Sequence, residues 1–266
     1  MRMIAMVIAA ANTLAAAEIV RTEVEYAHDG VVMKGVLVYD DELVSAGDPK
    51  PGIAVFSEWW GRNDYSEQRA EMLAELGYVA LAADMYGVGE DGEPRTADDV
   101  PGAQALAGEL YSDLEVMRGR AAAALDVLRA HELVADGKLG AMGYCLGGTV
   151  ALELARSGAD VQAVVSFHGN LATEMPADAG DIDASVLVCH GAVDPFVPDE
   201  QVDAFKAEME SAGVDYQFIA YAGAVHSFTN VAADDYGIPG AGYDEDADRR
   251  SWQHMQLVFD EAFADD

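Results

Sequence analysis

The stretch with the clearest chemical signature is GYCLGG, Gly143 to Gly148. It follows a short apolar run, Leu139 to Met142, and precedes a segment with helical spacing, Thr149 to Ser157. A strand, a sharp turn flanked by glycines and a helix form the context of a nucleophile elbow, in which the central side chain projects above a sheet. Most free cysteines are small buried hydrophobic residues. The context here instead predicts a nucleophilic thiol at Cys145.

Three further groups that could take part in catalysis each lie just after a predicted strand: Glu58, Asp194 and His226. The carboxyl ends of strands in an open α/β sheet meet at one crevice, so these groups and Cys145 are expected to converge. Taken singly, an aspartate after a strand is usually a turn or N-cap residue, and a histidine is usually a surface or core residue. Their chain order, nucleophile then acid then base, is the order of a hydrolase triad on this kind of sheet.

The residue types predict a role for each group. A thiol is mostly protonated at neutral pH, and His226 can take its proton and later return it to a leaving alcohol. Asp194 can hold the other ring nitrogen and favour the imidazolium. The backbone N–H of Leu146, at the start of a helix, can bind an oxyanion, and the second donor is expected at the N–H of Trp59.

Around these residues the chain resembles the dienelactone hydrolase family of α/β-hydrolases, from about Val24 to Phe263. The motifs that carry the resemblance are Glu58 to Gly61, Gly143 to Gly148, Asp194 to Pro198 and Gly223 to Phe228. The resemblance implies a triad of Cys145, Asp194 and His226, in which cysteine replaces the commoner serine. It also implies that Glu58 interacts with the surroundings of the Cys145 thiol and helps to form the thiolate when substrate arrives.

The sequence departs from this family at the expected substrate site. The best-known members bind an anionic lactone through two arginines, and here Val88 and Asn230 occupy the corresponding positions. We therefore expect a neutral substrate, with Arg95 as the first other cation to consider. Side chains at the strand ends are expected to join Val88 and Asn230 in lining the pocket, although aromatic residues there serve packing as often as recognition. These side chains are Trp59, Trp60, Tyr86, Phe167, His168 and Phe228.

Strands and helices alternate along the chain. Glu23 to Tyr26 and Val31 to Tyr39 read as a hairpin, whereas Ile53 to Phe56 and Tyr78 to Ala83 are apolar throughout, as in strands buried on both faces of a parallel sheet. We predict one α/β domain over residues 18–266, with a mostly parallel sheet flanked by helices on both faces. With the resemblance, this is the α/β-hydrolase fold.

One long segment is harder to divide. Ala103 to about Glu132 has an alanine-rich helical pattern, with Gly108 and Gly119 as two points where it could be interrupted. The preceding stretch, Asp84 to Gly102, is rich in glycine, proline and aspartate, which is typical of a lid or rim.

The charge balance limits the partners. The chain of 266 residues has 48 acidic and 15 basic residues, a formal net charge of −33 at pH 7. Such a chain repels nucleic acid and anionic membrane surfaces, so neither is an expected partner. No metal or organic cofactor is expected, and the oligomeric state is left open. The two cysteines, Cys145 and Cys189, are expected to remain free thiols.

The first residues, 1–17, have the pattern of a signal peptide. A basic residue at Arg2 precedes the apolar run Ile4 to Ala11, and small residues follow at Ala15 to Ala17. This predicts a secreted or periplasmic protein. If the segment is instead an ordinary N-terminal helix, the protein is expected in the cytoplasm.

We therefore predict a hydrolase that cleaves a small carboxylic ester or lactone through a cysteine triad and a thioester acyl-enzyme. One alternative is a broad carboxylesterase acting on aryl or polymeric esters. Another is a non-catalytic binding protein on the same fold, because fold does not dictate function. A thiol redox protein using Cys145 and Cys189 is a third, although the chain has no Cys-x-x-Cys motif.

Overall fold

The computed structural model describes residues 19–264, and within that range the fold is built on one eight-stranded sheet. The strands are β1 (Ile19–His28), β2 (Val31–Asp40), β3 (Lys50–Phe56), β4 (Val79–Ala83), β5 (Val134–Tyr144), β6 (Ala163–Phe167), β7 (Ser185–Gly191) and β8 (Tyr216–Tyr221). Their order across the sheet is β1-β2-β4-β3-β5-β6-β7-β8. β2 runs antiparallel to β1 and β4, and every other pairing is parallel. The predicted mostly parallel sheet is confirmed.

The apolar runs form strands because both faces of the sheet are covered. Successive residues of β3 alternate between two separate apolar clusters, with Ala54 and Phe56 in one and Ile53 and Val55 in the other. Side chains of a strand point alternately to opposite faces. The two clusters are therefore the two cores of a three-layer α/β fold.

Helices cover each face as predicted. They are α1 (Asp64–Ala74), α2 (Val100–Tyr111), α3 (Leu114–Arg129), α4 (Leu146–Arg156), α5 (Asp199–Ala212) and α6 (Glu245–Ala262), with a 3-10 helix at Ala233–Tyr236. Leu73 of α1 and Phe259 of α6 belong to one core. Leu125 of α3, Val150 of α4 and Phe205 of α5 belong to the other.

The long alanine-rich segment is two helices, and the break is not at either glycine. It falls at Ser112 and Asp113, where the Asp113 side chain accepts a hydrogen bond from the backbone N–H of Val116 at 3.1 Å and caps α3. An aspartate N-cap stabilises a new helix start. Gly108 and Gly119 lie inside helices, and Gly119 leaves room for the His28 ring, whose nearest atom would lie 2.1 Å from an added Cβ.

The predicted signal peptide, residues 1–17, lies outside the described residues and stays a prediction. Within residues 19–264, every helix is too short or too polar to span a bilayer.

Candidate active site

The stretch around Cys145 forms a sharp turn between β5 and α4. Cys145 lies between Tyr144 and Leu146 with φ of 53°, a left-handed conformation that is strained for a residue with a side chain. A Cβ at Gly147 would lie 2.1 Å from the Phe56 carbonyl oxygen, so only glycine fits there. The tight packing holds the turn against the end of β3.

The loops after β7 and β8 bring two further predicted residues to this turn. The Sγ atom of Cys145 lies 3.1 Å from Nε2 of His226, and Nδ1 of His226 lies 2.8 Å from Oδ2 of Asp194. The other carboxylate oxygen, Oδ1, accepts a hydrogen bond from the backbone N–H of Phe196 at 2.8 Å. The Asp194 side chain is fully buried, so this carboxylate is fixed in place.

Electrostatics favour a proton on His226. Burial by itself lowers the pKa of this imidazole, but the neighbouring Cys145 and Asp194 outweigh burial and raise the pKa to about 10. An imidazolium beside the sulfur stabilises a thiolate. The arrangement can therefore supply a nucleophilic sulfur at neutral pH.

Two backbone N–H groups beside the thiol have no acceptor among residues 19–264. The N–H of Leu146 is at the first position of α4, where no intrahelical acceptor exists. The N–H of Trp59 is in the loop after β3. The carbonyl oxygen of the same residue accepts a hydrogen bond from the Tyr86 hydroxyl at 2.8 Å, which holds this part of the loop in place. Both donors are free to bind a developing oxyanion.

Glu58 is buried beside the same loops, with both carboxylate oxygens engaged. Oε1 accepts from the Ser227 hydroxyl at 3.0 Å and Oε2 accepts from Nδ2 of Asn230 at 2.7 Å. Burial raises the pKa of the Glu58 carboxyl, against the opposing effect of these hydrogen bonds and of His226. The hydrogen bonds of the described residues include none between Glu58 and Cys145.

His168 supports the elbow from behind. It is fully buried, and its Nδ1 accepts a hydrogen bond from the backbone N–H of Cys145 at 3.1 Å. Burial lowers the pKa of this imidazole well below its usual value, so the ring is neutral. Because Nδ1 accepts, the proton is on Nε2, which lies 2.7 Å from Oγ1 of Thr229. His168 therefore fixes the backbone of the thiol residue.

A cavity of about 310 Å³ opens beside the thiol. Its walls come from the turns and loops after four strands (β3, β5, β7 and β8), from α2 and from the region of the 3-10 helix. The lining residues are Trp59, Val100, Gln104, Cys145, Phe196, His226, Ser227, Tyr236, Ile238 and Ala241. None of these carries a positive charge apart from the His226 imidazolium, and most are apolar.

Of the eight residues predicted to line the pocket, Trp59 is among those that line this cavity and the other seven are not. Five of them pack in the interior instead: Trp60, Tyr86, Phe167, His168 and Phe228. Phe167, for example, stacks on Tyr144 with ring centroids 4.7 Å apart, because a strand-end aromatic side chain gains more from the core than from the crevice.

The two remaining predicted pocket residues also lie elsewhere. Asn230 is buried and binds Glu58, and Val88 pairs with Pro94 in the loop before α2. Arg95, the other cation considered, is paired with Glu109 through hydrogen bonds of 2.9 and 2.5 Å. No anion-binding guanidinium therefore reaches the cavity from these positions.

Sequence reasoning missed Ser227, which donates a hydrogen bond to Glu58, and Thr229, whose hydroxyl lies beside His168. They lie one and three residues after the predicted base His226 in the chain, so their neighbourhood was a usable signal. Val100, Gln104 and Tyr236 carry no comparable signal, because they reach the cavity only through the path of the chain between strands.

A mostly parallel sheet, and a strained turn whose thiol lies close to a histidine and an aspartate, are the arrangement of an α/β-hydrolase. The comparisons with known proteins agree: the model of the dienelactone hydrolase family matches residues 36–263. The chain belongs to the dienelactone hydrolase family, and it is an enzyme of the ester and lactone hydrolase class.

Relatives match over most of their length. An uncharacterized protein of Caenorhabditis elegans is 40% identical over 151 residues, which are 56% of this chain and 95% of that protein. The protein usf of Aquifex pyrophilus is 27% identical over 80% of this chain and 88% of its own length. A dienelactone hydrolase-like promiscuous phosphotriesterase from metagenomic libraries has a crystal structure that is 43% identical, with a TM-score of 0.86, covering 92% of this chain and 99% of that one.

Proposed function

We propose that the protein hydrolyses a small neutral carboxylic ester or lactone, with Cys145 as nucleophile, His226 as acid and base, and Asp194 as the residue that orients His226. The observation that supports this most is the chain of contacts from Sγ to Nε2 at 3.1 Å and from Nδ1 to Oδ2 at 2.8 Å, at a strained elbow. These are hydrogen-bond distances between groups of the right types.

The proposed reaction has two halves. The Cys145 thiolate attacks the carbonyl carbon, a C–S bond forms, and the oxyanion is bound by the N–H groups of Leu146 and Trp59. The C–O bond then breaks, and His226 gives its proton to the leaving alkoxide, which departs as an alcohol. A water molecule attacks the thioester while His226 takes its proton, the C–S bond breaks, and the acid leaves with the thiolate restored.

We infer that Glu58 acts through its neighbours and not by touching the sulfur. Its buried carboxylate favours the cationic form of His226, and its two hydrogen bonds connect it to Ser227 and Asn230. Glu58→Gln is expected to slow acylation while leaving the fold intact. If ester turnover and the pH profile of iodoacetamide alkylation both match wild type, Glu58 has no part in the mechanism.

The two cysteines provide a matched test. Cys145→Ala is expected to abolish turnover of a p-nitrophenyl ester, whereas Cys189→Ser is expected to retain it, because Cys189 is fully buried in the core. Mass spectrometry of the wild type quenched in acid is expected to find one acyl group on Cys145. Hydrolysis that survives Cys145→Ala, or that depends on Cys189, would contradict the proposal and favour a different site.

We propose hydrolysis of neutral aryl phosphotriesters as a second activity of the same site. It is favoured by the 43% identity and 0.86 TM-score to the promiscuous phosphotriesterase, and by a cavity lined mostly with apolar side chains. Turnover of paraoxon is expected at a lower rate than ester turnover and is expected to disappear in Cys145→Ala. A single stoichiometric release of p-nitrophenol without turnover would mean that the phosphotriester only inactivates the enzyme.

A further inference from the structure

Tyr236 places a phenol on the wall of the cavity that contains Cys145 and His226. It ends the 3-10 helix, is half-buried, and packs its ring against Trp60 with ring centroids 5.0 Å apart. Burial, with the negative charges of Glu58 and Cys145, raises the pKa of Tyr236 to about 12. The hydroxyl therefore keeps its proton at neutral pH and is a hydrogen-bond donor.

The amide of Asn230 determines which way this hydroxyl can donate. Oδ1 of Asn230 accepts from the backbone N–H of Ala232 at 3.0 Å, and Nδ2 donates to Glu58 at 2.7 Å and to the Tyr236 oxygen at 2.8 Å. The reversed amide would face its NH₂ group to the N–H of Ala232 and its oxygen to a carboxylate, which are two repulsive contacts. The Tyr236 oxygen is therefore an acceptor toward Asn230, and its own proton points elsewhere.

That proton has no acceptor among residues 19–264. The indole of the neighbouring Trp60 carries only a donor, and both oxygens of Glu58 already accept from other groups. A hydroxyl hydrogen without a protein partner, on the wall of a cavity, is available to a molecule bound there.

We propose that the Tyr236 hydroxyl donates a hydrogen bond to a neutral oxygen of the substrate, remote from the scissile carbonyl, and that Asn230 positions this donor. The inference rests on the proposed ester or lactone hydrolysis and adds a specificity-determining residue to it. Much of the surrounding wall is apolar, from Val100, Phe196 and Ile238. A polar donor with an unused hydrogen in such a wall selects substrates that carry an acceptor at the matching position.

The test uses pairs of p-nitrophenyl esters with equal chain length, in which one member has an ether oxygen and the other a methylene at the same acyl position. The position is moved along the chain from pair to pair. Wild type is expected to prefer the ether member of at least one pair, and Tyr236→Phe is expected to reduce that kcat/KM ratio by about tenfold. Intrinsic reactivity cancels because each ratio is compared between two proteins. Ratios that are the same in both proteins for every pair overturn the inference.

Two controls separate substrate binding from other effects of the substitution. Tyr243→Phe removes a hydroxyl that donates to Asp248 at 3.4 Å outside the cavity, and is expected to change no ratio. Allyl bromide, which has no oxygen acceptor, is expected to alkylate Cys145 equally fast in wild type and Tyr236→Phe. A changed alkylation rate would mean that the hydroxyl acts on the thiol through Asn230 and Glu58, which overturns the inference.

The same data distinguish this inference from the proposed function. A wild type that hydrolyses no ester contradicts the function, and the inference fails with it. A wild type that hydrolyses esters by way of Cys145, with ratios unaffected by Tyr236→Phe, leaves the function standing and refutes only the donor.

Discussion

The two sides of the cavity are built differently. Around the elbow, Leu146 and Gly147 pack so closely on the end of β3 that one added methyl group at Gly147 has no space. On the other side, the open wall, Gln104 of α2 is exposed and Phe196 is 47% exposed. Close packing fixes the position of the Cys145 thiol, whereas the open wall can accept other side chains without disturbing the fold. Substitutions at the elbow are therefore expected to change stability and reaction rate strongly, whereas substitutions on the open wall are expected to change substrate preference and leave the fold intact.

The largest effect is expected where the elbow has no space. Gly147→Ala would bring a Cβ to 2.1 Å from a backbone oxygen that cannot move independently, and is expected to reduce the free energy of unfolding by about 3 kcal/mol or more. Urea unfolding measures this. Gly108→Ala is the matched control, because nothing lies within 4 Å of that Cβ and alanine favours a helix interior, so a gain of about 0.5–1 kcal/mol is expected. Equal stabilities for the two variants would contradict the comparison.

The next largest effect is expected from a substitution that changes the reactive group and leaves the packing of the elbow unchanged. Cys145→Ser is expected to fold as wild type does but to lose about 100-fold or more in kcat/KM, because a neutral hydroxyl in a site arranged for a thiolate is a much weaker nucleophile. Ester kinetics and thermal unfolding together measure the two parts. Activity within about tenfold of wild type would show that thiolate formation is not the critical step.

A smaller effect is expected from Asp194, which we propose orients His226. Asp194 raises the pKa of His226, so Asp194→Asn removes a negative charge beside the imidazolium and is expected to lower that pKa from about 10. Fewer molecules then carry the imidazolium at pH 8, and kcat/KM is expected to fall by about tenfold or more. NMR titration of the His226 ring measures the pKa directly. A pKa that is unchanged or higher in the variant would remove Asp194 from this role.

The same contrast explains how much could be predicted from the sequence. The convergence of Cys145, Asp194 and His226 could be predicted because each follows a strand of a parallel sheet, and parallel strands bring their carboxyl ends together wherever the loops go. The residues of the open wall, such as Gln104 and Tyr236, are ordinary residue types on a helix and a short 3-10 turn. Whether these residues reach the cavity depends on how the chain crosses the carboxyl ends of the strands. Local sequence patterns do not determine that path.

Most residues predicted for the pocket differ from those that line the cavity, for a related reason. Strand-end aromatic residues were assigned to the crevice, but Phe228 and Phe167 lie in the core behind it. Burial of a large aromatic side chain stabilises the fold strongly, so the sheet end keeps these rings and leaves the cavity to the loops. The position of the helix break was also not predicted. The segment divides at Asp113, which caps the second helix, and both glycines lie inside helices.

The smallest effect is expected on the open wall and concerns the charge of the substrate. Apart from the His226 imidazolium, the cavity has no cationic lining residue, the buried Glu58 lies close by, and Arg95 is held by Glu109. Wild type is therefore expected to hydrolyse a neutral ester faster than its carboxylate analogue. Gln104→Arg adds a cation at an exposed position of the wall and is expected to narrow this kcat/KM ratio by about two- to fivefold, since an exposed pair is weak. The narrowing should shrink at high salt, because exposed charges are screened. A wild type that already prefers the anionic ester would show that a cation outside this lining binds the substrate.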